Sequence, residues 1–400
     1  MDIENLLTPC FIFDEAEFER GVKGFREALA AKFSQSTIGY SVKTNSQPYA
    51  LMQAYRHGCK AEVVSHDEYR LARLCGYEPR DIIYNGPMKS KETFIEAMAG
   101  GAVVNIEAKR ELQWLLELSQ ERVYNVGLRL NINISRISPE DADGVDDNSR
   151  FGFSDETDEF KKAIEFITSH RNLRLIGLHI HRTAHSRMPR FYERSIAYAC
   201  RVIKKYNLTL EYLDLGGGYF GIFPNKPTFA DYTEAFYKAL VENGLENLKI
   251  IVEPGNALVA SCFSFLSEVI DVKRVDEKTR FVTTDGSRND VDPFFRKNDY
   301  LKEIHRLSDN RPIEPLQVIA GCTYLEYDRL FTLVDAQALE IGDKIQYNNV
   351  GAYTLTLSPQ FIRLWPRVYA INKKGICRLV RRESSAEDII SSSVINTNRI

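Results

Sequence analysis

Between residues 37 and 253 the chain alternates between two spacings of apolar positions. Short runs rich in Val, Ile, Leu and Tyr are followed by stretches in which apolar residues recur three and four places apart. The short runs predict strands over 37–43, 61–65, 81–85, 102–107, 126–133, 173–181, 210–215 and 248–253. The periodic stretches predict helices over 47–57, 67–74, 91–99, 110–118, 158–170, 190–206 and 229–242. Strands that alternate with helices imply parallel pairing through right-handed crossovers. Eight such units in roughly 220 residues fit a closed (β/α)8 barrel of the TIM type. An open doubly wound sheet would need a phosphate fingerprint in its first turn, and the sequence has none there.

After about residue 265 the pattern changes. Runs over 265–275, 280–285, 313–319, 344–347 and 361–371 read as strands with little helix between them, a second and mostly β domain. The segment 9–13 is also strand-like, precedes the barrel and can join that domain. The expected organisation is a barrel over 25–262, a β-rich domain over 1–24 and 263–381, and a Ser-rich polar tail over 382–400 that reads as flexible.

Function in such a barrel gathers at the carboxyl ends of the strands. Those ends read Lys43, Ser65, Asn85, Glu107, Arg129, His181, Gly216-Gly217-Gly218 and Glu253. Lys43 closes an apolar strand; desolvation drives a lysine amine towards its neutral, nucleophilic form, although a strand-end lysine can also reach out to solvent. The three glycines can close backbone N–H groups around an anion, or make a plain tight turn. Glu253 can pair with a cation, act as an acid or base, bind a metal, or stand as a solvated loop acid. His181 can stack on a planar cofactor or serve as a structural histidine. His179, His181 and His185 have spacing that could hold a metal, but 179 and 181 alternate on a strand, and no metal is expected. Lysine, glycine loop and acid together form a consistent pyridoxal-phosphate site, in which Glu253 beside the pyridine nitrogen would keep it protonated.

Composition narrows the classes. A net charge of −3 suggests no general affinity for nucleic acid or anionic membrane. No apolar run reaches the ~20 residues of a membrane span. The seven cysteines are scattered, with no C-x-x-C pair, which argues against a disulfide framework or zinc cluster. The start lacks the basic and apolar regions of a signal peptide, so the expected location is cytoplasmic.

The chain resembles the barrel-type (fold-type III) pyridoxal-phosphate decarboxylases, the ornithine, diaminopimelate, arginine and carboxynorspermidine decarboxylase group. The segments that carry the likeness are Tyr40-Ser41-Val42-Lys43-Thr44-Asn45, Glu62-Val63-Val64-Ser65 with Glu68, Ser149-Arg150-Phe151-Gly152, Gly177-Leu178-His179-Ile180-His181, Gly216-Gly217-Gly218, Glu253-Pro254-Gly255 and Gly351-Ala352-Tyr353-Thr354. The resemblance implies pyridoxal 5'-phosphate on Lys43 as a Schiff base, with His181 on its ring and Glu253 at its nitrogen. Gly216, Gly217, Gly218 and Gly255 would hold the phosphate, with Tyr353 nearby, and Glu62, Ser65 and Arg129 would complete the cofactor site. It also implies a head-to-tail homodimer with shared sites, in which 321–328 of one subunit faces Lys43 of the other.

The same comparison exposes departures. Where the family has Gly-Pro-x-Cys, this chain has Gly321-Cys322-Thr323-Tyr324, so either Tyr324 or Cys322 would donate the proton to the carbanion. Leu325 stands where the diaminopimelate enzymes have a Glu, and Glu326 follows one place later. Asp292 replaces their carboxylate-binding arginine, which Arg288 or Arg296 could substitute; Arg150 and Asp328 complete the expected substrate residues. Ala184 and Asn256 replace a Ser and an Arg of the family pattern. The implied reaction is decarboxylation of an amino acid or derivative by a carboxy-lyase, releasing CO2 and leaving a quinonoid carbanion. Three alternatives stay open: a racemase or epimerase on the same cofactor, an inactive regulatory protein like the antizyme inhibitors, and a barrel metal hydrolase using His179, His181 and Glu253.

Overall fold

The computed structural model describes residues 5–142, 149–182 and 184–393. The chain divides into two compact units, Glu19–Val259 and the pair of segments Met1–Phe18 and Ala260–Ile400.

The first unit is a closed parallel barrel. Its strands are β1 (Ser36–Ser41), β2 (Lys60–Ser65), β3 (Ile82–Met88), β4 (Val103–Ile106), β5 (Tyr124–Asn131), β6 (Leu173–Ile180), β7 (Tyr212–Asp214) and β8 (Lys249–Val252). Each pairs in parallel with the next, and β8 pairs with β1, which leaves no free edge. A short strand, Phe153–Ser154, adds to β5. The helices expected between strands form at Pro48–Arg56, His66–Leu74, Lys91–Ala99, Lys109–Trp114, Asp158–Thr168, Pro189–Lys205 and Phe229–Val241. Side chains of Ser65, Ser90, Thr157 and Thr228 cap four of them by accepting a first-turn N–H. The helix Glu15–Ala30, within which the division between the units falls, was not among the expected elements. Val22, Phe25 and Leu29 recur at helical spacing along it and are buried, with Phe25 stacked on Phe229 at 4.5 Å.

The barrel interior is packed around Tyr212. A Cβ added at Gly177 would lie 1.9 Å from its ring, and one at Gly127 would lie 2.2 Å from its hydroxyl. Ile83, Ile176 and Ile251 pack in the same cluster. Glycine is required at both positions by close approach, because a methyl group has no room beside the ring.

In the second unit the long strand Phe263–Arg274 pairs antiparallel with Cys10–Asp14, Thr279–Thr284 and Lys344–Tyr347. Cys10–Asp14 also runs parallel to Arg367–Ile371, which uses the early segment of the chain as a sheet strand. Three strands went unpredicted: Lys302–His305, Arg329–Gln337 and Cys377–Arg381. All are largely solvent-facing, so they lack the alternation that marks a half-buried strand. The strand expected over 361–371 begins only at Arg367, just after Pro366, which has no N–H to give to a ladder. The tail expected to be flexible contains a helix, Ala386–Ser391, held by a Ser385–Asp388 capping box; residues 394–400 lie outside the described residues. Among the described residues no helix is long and apolar enough to cross a membrane.

Gly177→Ala should overpack the barrel against Tyr212 and lower stability by about 1–3 kcal/mol. Urea unfolding measures it; an unchanged midpoint would show that the ring yields freely.

Candidate active site

Strand β1 stops at Ser41, and Val42–Thr44 form a 3-10 turn. Lys43 therefore stands just past the strand end and not on the strand, as the sequence pattern had suggested. Its Nζ donates to Glu62 Oε2 at 2.7 Å and to Ser41 Oγ at 2.9 Å, and Ser41 Oγ donates to the same carboxylate oxygen. The register of β1 on β2 sets Ser41 beside Glu62, which is only 1% exposed. The other Glu62 oxygen accepts from Asn85 Nδ2 at 3.2 Å, and the same nitrogen donates to Glu253 Oε1 at 2.5 Å. A hydrogen-bonded line thus runs Lys43–Glu62–Asn85–Glu253, with groups from within β2 and β3 and from just past the ends of β1 and β8. Behind it, Asn105 donates to Asn85 Oδ1 at 2.9 Å and to Asp214 Oδ2 at 3.3 Å, and the Tyr212 hydroxyl donates to Asn105 Oδ1.

Burial governs the protonation of this cluster. The Asp214 carboxyl is pushed well above the usual carboxylate range by burial and then by the negative charge of Glu253 beside it. Burial, reinforced by the Arg129 charge, pushes both His179 and His181 well below the usual imidazole range, so both rings are neutral. His179 Nε2 approaches Glu253 Oε2 at 3.5 Å, and neither of its buried ring nitrogens makes a hydrogen bond. Ligand atoms of His179, Asp214 and Glu253 lie within 4.8 Å of one another. His181, the third member of the metal set considered from sequence, is turned elsewhere: its Nδ1 accepts the Gly217 N–H at 3.2 Å.

The glycine loop follows β7. Gly216 and Gly218 have φ of 64° and 96°, where glycine is favoured. A Cβ at Gly216 would meet the His181 ring at 2.5 Å, and one at Gly217 would meet the Glu253 carbonyl at 2.3 Å. The N–H groups of Gly218 and Tyr219 have no hydrogen-bond partner among the described residues. Gly255 packs on Thr44, with no space for a Cβ. Arg129 pairs with Glu107 at 2.6 Å and donates to the His181 carbonyl at 3.4 Å, which ties β4, β5 and β6 together. Ser65 caps the following helix by accepting the Glu68 N–H. Arg150 is exposed, its guanidinium 4.3 Å from the Phe151 ring centre.

The remaining candidates belong to the β-rich unit. Tyr324 is 95% exposed, and Glu326 and Arg296 are exposed. Cys322 is half-buried, which raises its thiol pKa against the opposing pull of the neighbouring Arg363. Tyr353 holds φ 58°, a strained conformation for a residue with a side chain. Two of the expected substrate residues make contacts within the β-rich unit. Asp328 is 2% exposed and its carboxylate accepts from the N–H groups of Arg288 and Thr323 and from the Thr323 hydroxyl, so it shapes the 321–328 loop. Arg288 is committed to Asp292 at 3.1 Å and to the Lys297 carbonyl at 2.6 Å. The reading from sequence missed Ser41, Asn105 and Asp214. Asp214 shares the inward face of β7 with Tyr212, two places away, and that parity was the available signal.

The family model described as pyridoxal-dependent decarboxylase, pyridoxal binding domain, matches residues 15–260. The chain belongs to the pyridoxal-dependent decarboxylases. It is 26% identical over 411 residues to the diaminopimelate decarboxylase of Methanocaldococcus jannaschii, covering 98% of this chain and 92% of that one. It is 25% identical to a probable chloroplastic diaminopimelate decarboxylase of rice, Oryza sativa subsp. japonica, covering 95% and 78%. Among solved structures, the M. jannaschii diaminopimelate decarboxylase in complex with L-lysine superposes with a TM-score of 0.84 at 22% identity, over 98% of this chain and 93% of that one. The Paramecium bursaria Chlorella virus arginine decarboxylase superposes with a TM-score of 0.74 at 20% identity, over 92% and 96%. The activity is pyridoxal-phosphate-dependent decarboxylation of an amino acid, and a racemase is not favoured. The barrel fits that cofactor. It offers an amine set among buried acids, a loop that admits only glycine, and two backbone N–H groups without partners that suit a phosphate.

Glu68 supplies a pH test. Burial, with Glu62 adding and Lys43 opposing, raises its carboxyl from 4.5 to about 7. Between these values the folded protein binds more protons than the unfolded chain, so this contribution to stability is lost as pH rises towards 7. Relative to Glu68→Gln, the unmodified protein should lose stability across that window in denaturant titrations. A difference that does not change with pH would contradict the assignment.

Proposed function

We propose that Lys43 holds the cofactor through a covalent bond from Nζ to its aldehyde carbon, and that Glu253 keeps a proton at its pyridine nitrogen. The observation that carries this reading is the buried line from Lys43 through Glu62 and Asn85 to Glu253. When bound, pyridoxal phosphate supplies the electron sink for the pair left at Cα as CO2 departs. Glu62 and Ser41 orient the Lys43 amine, which yields its place to the substrate's amine and later reclaims it. His181, neutral and fixed by Gly217, presents its flat ring for stacking. Gly216 to Gly218, with Gly255, line the phosphate site, to which the N–H groups of Gly218 and Tyr219 donate while those of Gly216 and Gly217 hold the loop on Asp214 and His181, and Arg129 braces the His181 strand end.

The substrate we propose is an α-amino acid of the diaminopimelate type, with a polar distal end. Full-length relatives named diaminopimelate decarboxylase support the class. With Asp328 and Arg288 committed to loop contacts, Arg150, Arg296 and Glu326 are the exposed groups left to meet the distal end. We further propose a homodimer in which the β-rich unit of one subunit, with Tyr353, completes the site of the other, Tyr324 acting as proton donor. Tyr324 is offered to solvent, whereas Cys322 is drawn inward beside Arg363. Seven free cysteines support a reducing, cytoplasmic location.

Lys43→Ala should abolish the visible absorbance of the bound cofactor; a persistent band would remove Lys43 from the role. Glu253→Gln should keep that band but slow CO2 release about 100-fold, or about 2.7 kcal/mol. Unchanged turnover would exclude Glu253. Mixing inactive Lys43→Ala with inactive Tyr324→Phe subunits should restore part of the activity, since one of the two shared sites becomes intact. No recovery in a verified mixed dimer would contradict the shared site. Release of CO2 from diaminopimelate, lysine, ornithine, arginine and a carboxylated polyamine, assayed side by side, tests the substrate; turnover only of the carboxylated polyamine would overturn the diaminopimelate type.

A further inference from the structure

A cleft of the barrel unit lies at the opposite ends of the strands from Lys43. It has a volume of about 540 Å³, within the range of small-molecule sites, and is lined by Arg26, Gln35, Tyr55, Lys60, Asp81 and Lys249, among others. Ser36, Thr37 and Ile38 also border it, so it opens at the amino-terminal half of β1, whereas Lys43 follows the carboxyl end of that strand.

The charge in this cleft is unbalanced. Arg26, Lys60 and Lys249 face one acid, Asp81, and none of the three forms an ion pair among the described residues. Arg26 donates to the His57 carbonyl and Lys60 to the Arg80 carbonyl, contacts that satisfy N–H groups and leave the charges uncompensated. Several basic side chains elsewhere on the barrel exterior take acidic partners: Arg174 with Glu211, Lys205 with Asp155, Lys238 with Glu193 and Lys32 with Glu234. Burial also lowers the Lys60 pKa, with Lys249 and Arg80 pushing the same way and Asp81 opposing. Cationic groups gathered in a recess in excess of their counter-charge are stabilised when an anion enters.

We propose that this amino-terminal cleft of the barrel is a second binding site, separate from the catalytic one, for a small polyanion bearing phosphate or clustered carboxylate groups. Arg26, Lys60 and Lys249 supply the charge, and Gln35 a polar side chain beside them.

The test is isothermal titration of the cofactor-loaded enzyme with pyrophosphate and, separately, with citrate, while the visible cofactor band is monitored. The expected result is saturable binding of at least one probe, one per chain, with the band unchanged. Affinity should fall at least tenfold in Lys249→Gln and in Arg26→Gln. Binding of pyrophosphate alone would assign a phosphate ligand, and binding of citrate alone a polycarboxylate. Arg26 is exposed, so Arg26→Gln decides the matter if Lys249→Gln fails to fold. Three outcomes overturn the proposal: no saturable binding of either probe, binding that bleaches the cofactor band, or unchanged affinity in the folded variants.

Discussion

Burying Glu62, Asp214 and Glu253 inside one closed barrel is the constraint on which the rest of this site depends. A carboxyl group taken out of water is costly unless its oxygens are hydrogen bonded and its charge is matched. Here the demands are met jointly. Asp214 accepts from Asn105 and from the Gly216 N–H, Asn85 bridges Glu253 to Glu62, and Lys43 and Ser41 close the line on Glu62. Satisfying the acids therefore fixes the position of the amine. A closed barrel makes this economical, because strands far apart in sequence end side by side around one mouth.

A fully buried lysine elsewhere in the barrel shows why burial alone does not mark a nucleophile. Lys89 is inaccessible, and its Nζ donates to the carbonyls of Gly86 and Asn105 and to both oxygens of Glu111. It is a structural cation that holds the loop after β3 against β4. Lys43 differs in keeping part of its side chain open while it pairs with the buried Glu62. Neutral His179 and His181 follow from the same electrostatics, since Arg129 adds to the burial that already disfavours their charge.

Much of this was legible in the sequence because a parallel barrel writes a strong alternation of apolar strand and amphipathic helix. The eight strands and seven inter-strand helices emerged within a few residues, and the strand-end rule pointed to Lys43, Asn85, Arg129, His181 and Glu253. What did not emerge depended on contacts between distant elements. Asp214 looks like an ordinary acid until the barrel closes and sets it against Glu253. The contacts of Asp328 within the 321–328 loop and of Arg288 with Asp292 are likewise set only by the folded chain. The exposed strands of the β-rich unit carry little periodicity, so only pairing reveals them.

The most direct test of the central claim is borohydride reduction of the cofactor-loaded enzyme followed by peptide mass mapping. The account predicts a reduced pyridoxyl adduct on the peptide containing Lys43 and on no other. An adduct on Lys89, or on any lysine outside the Glu62–Asn85–Glu253 line, would contradict it.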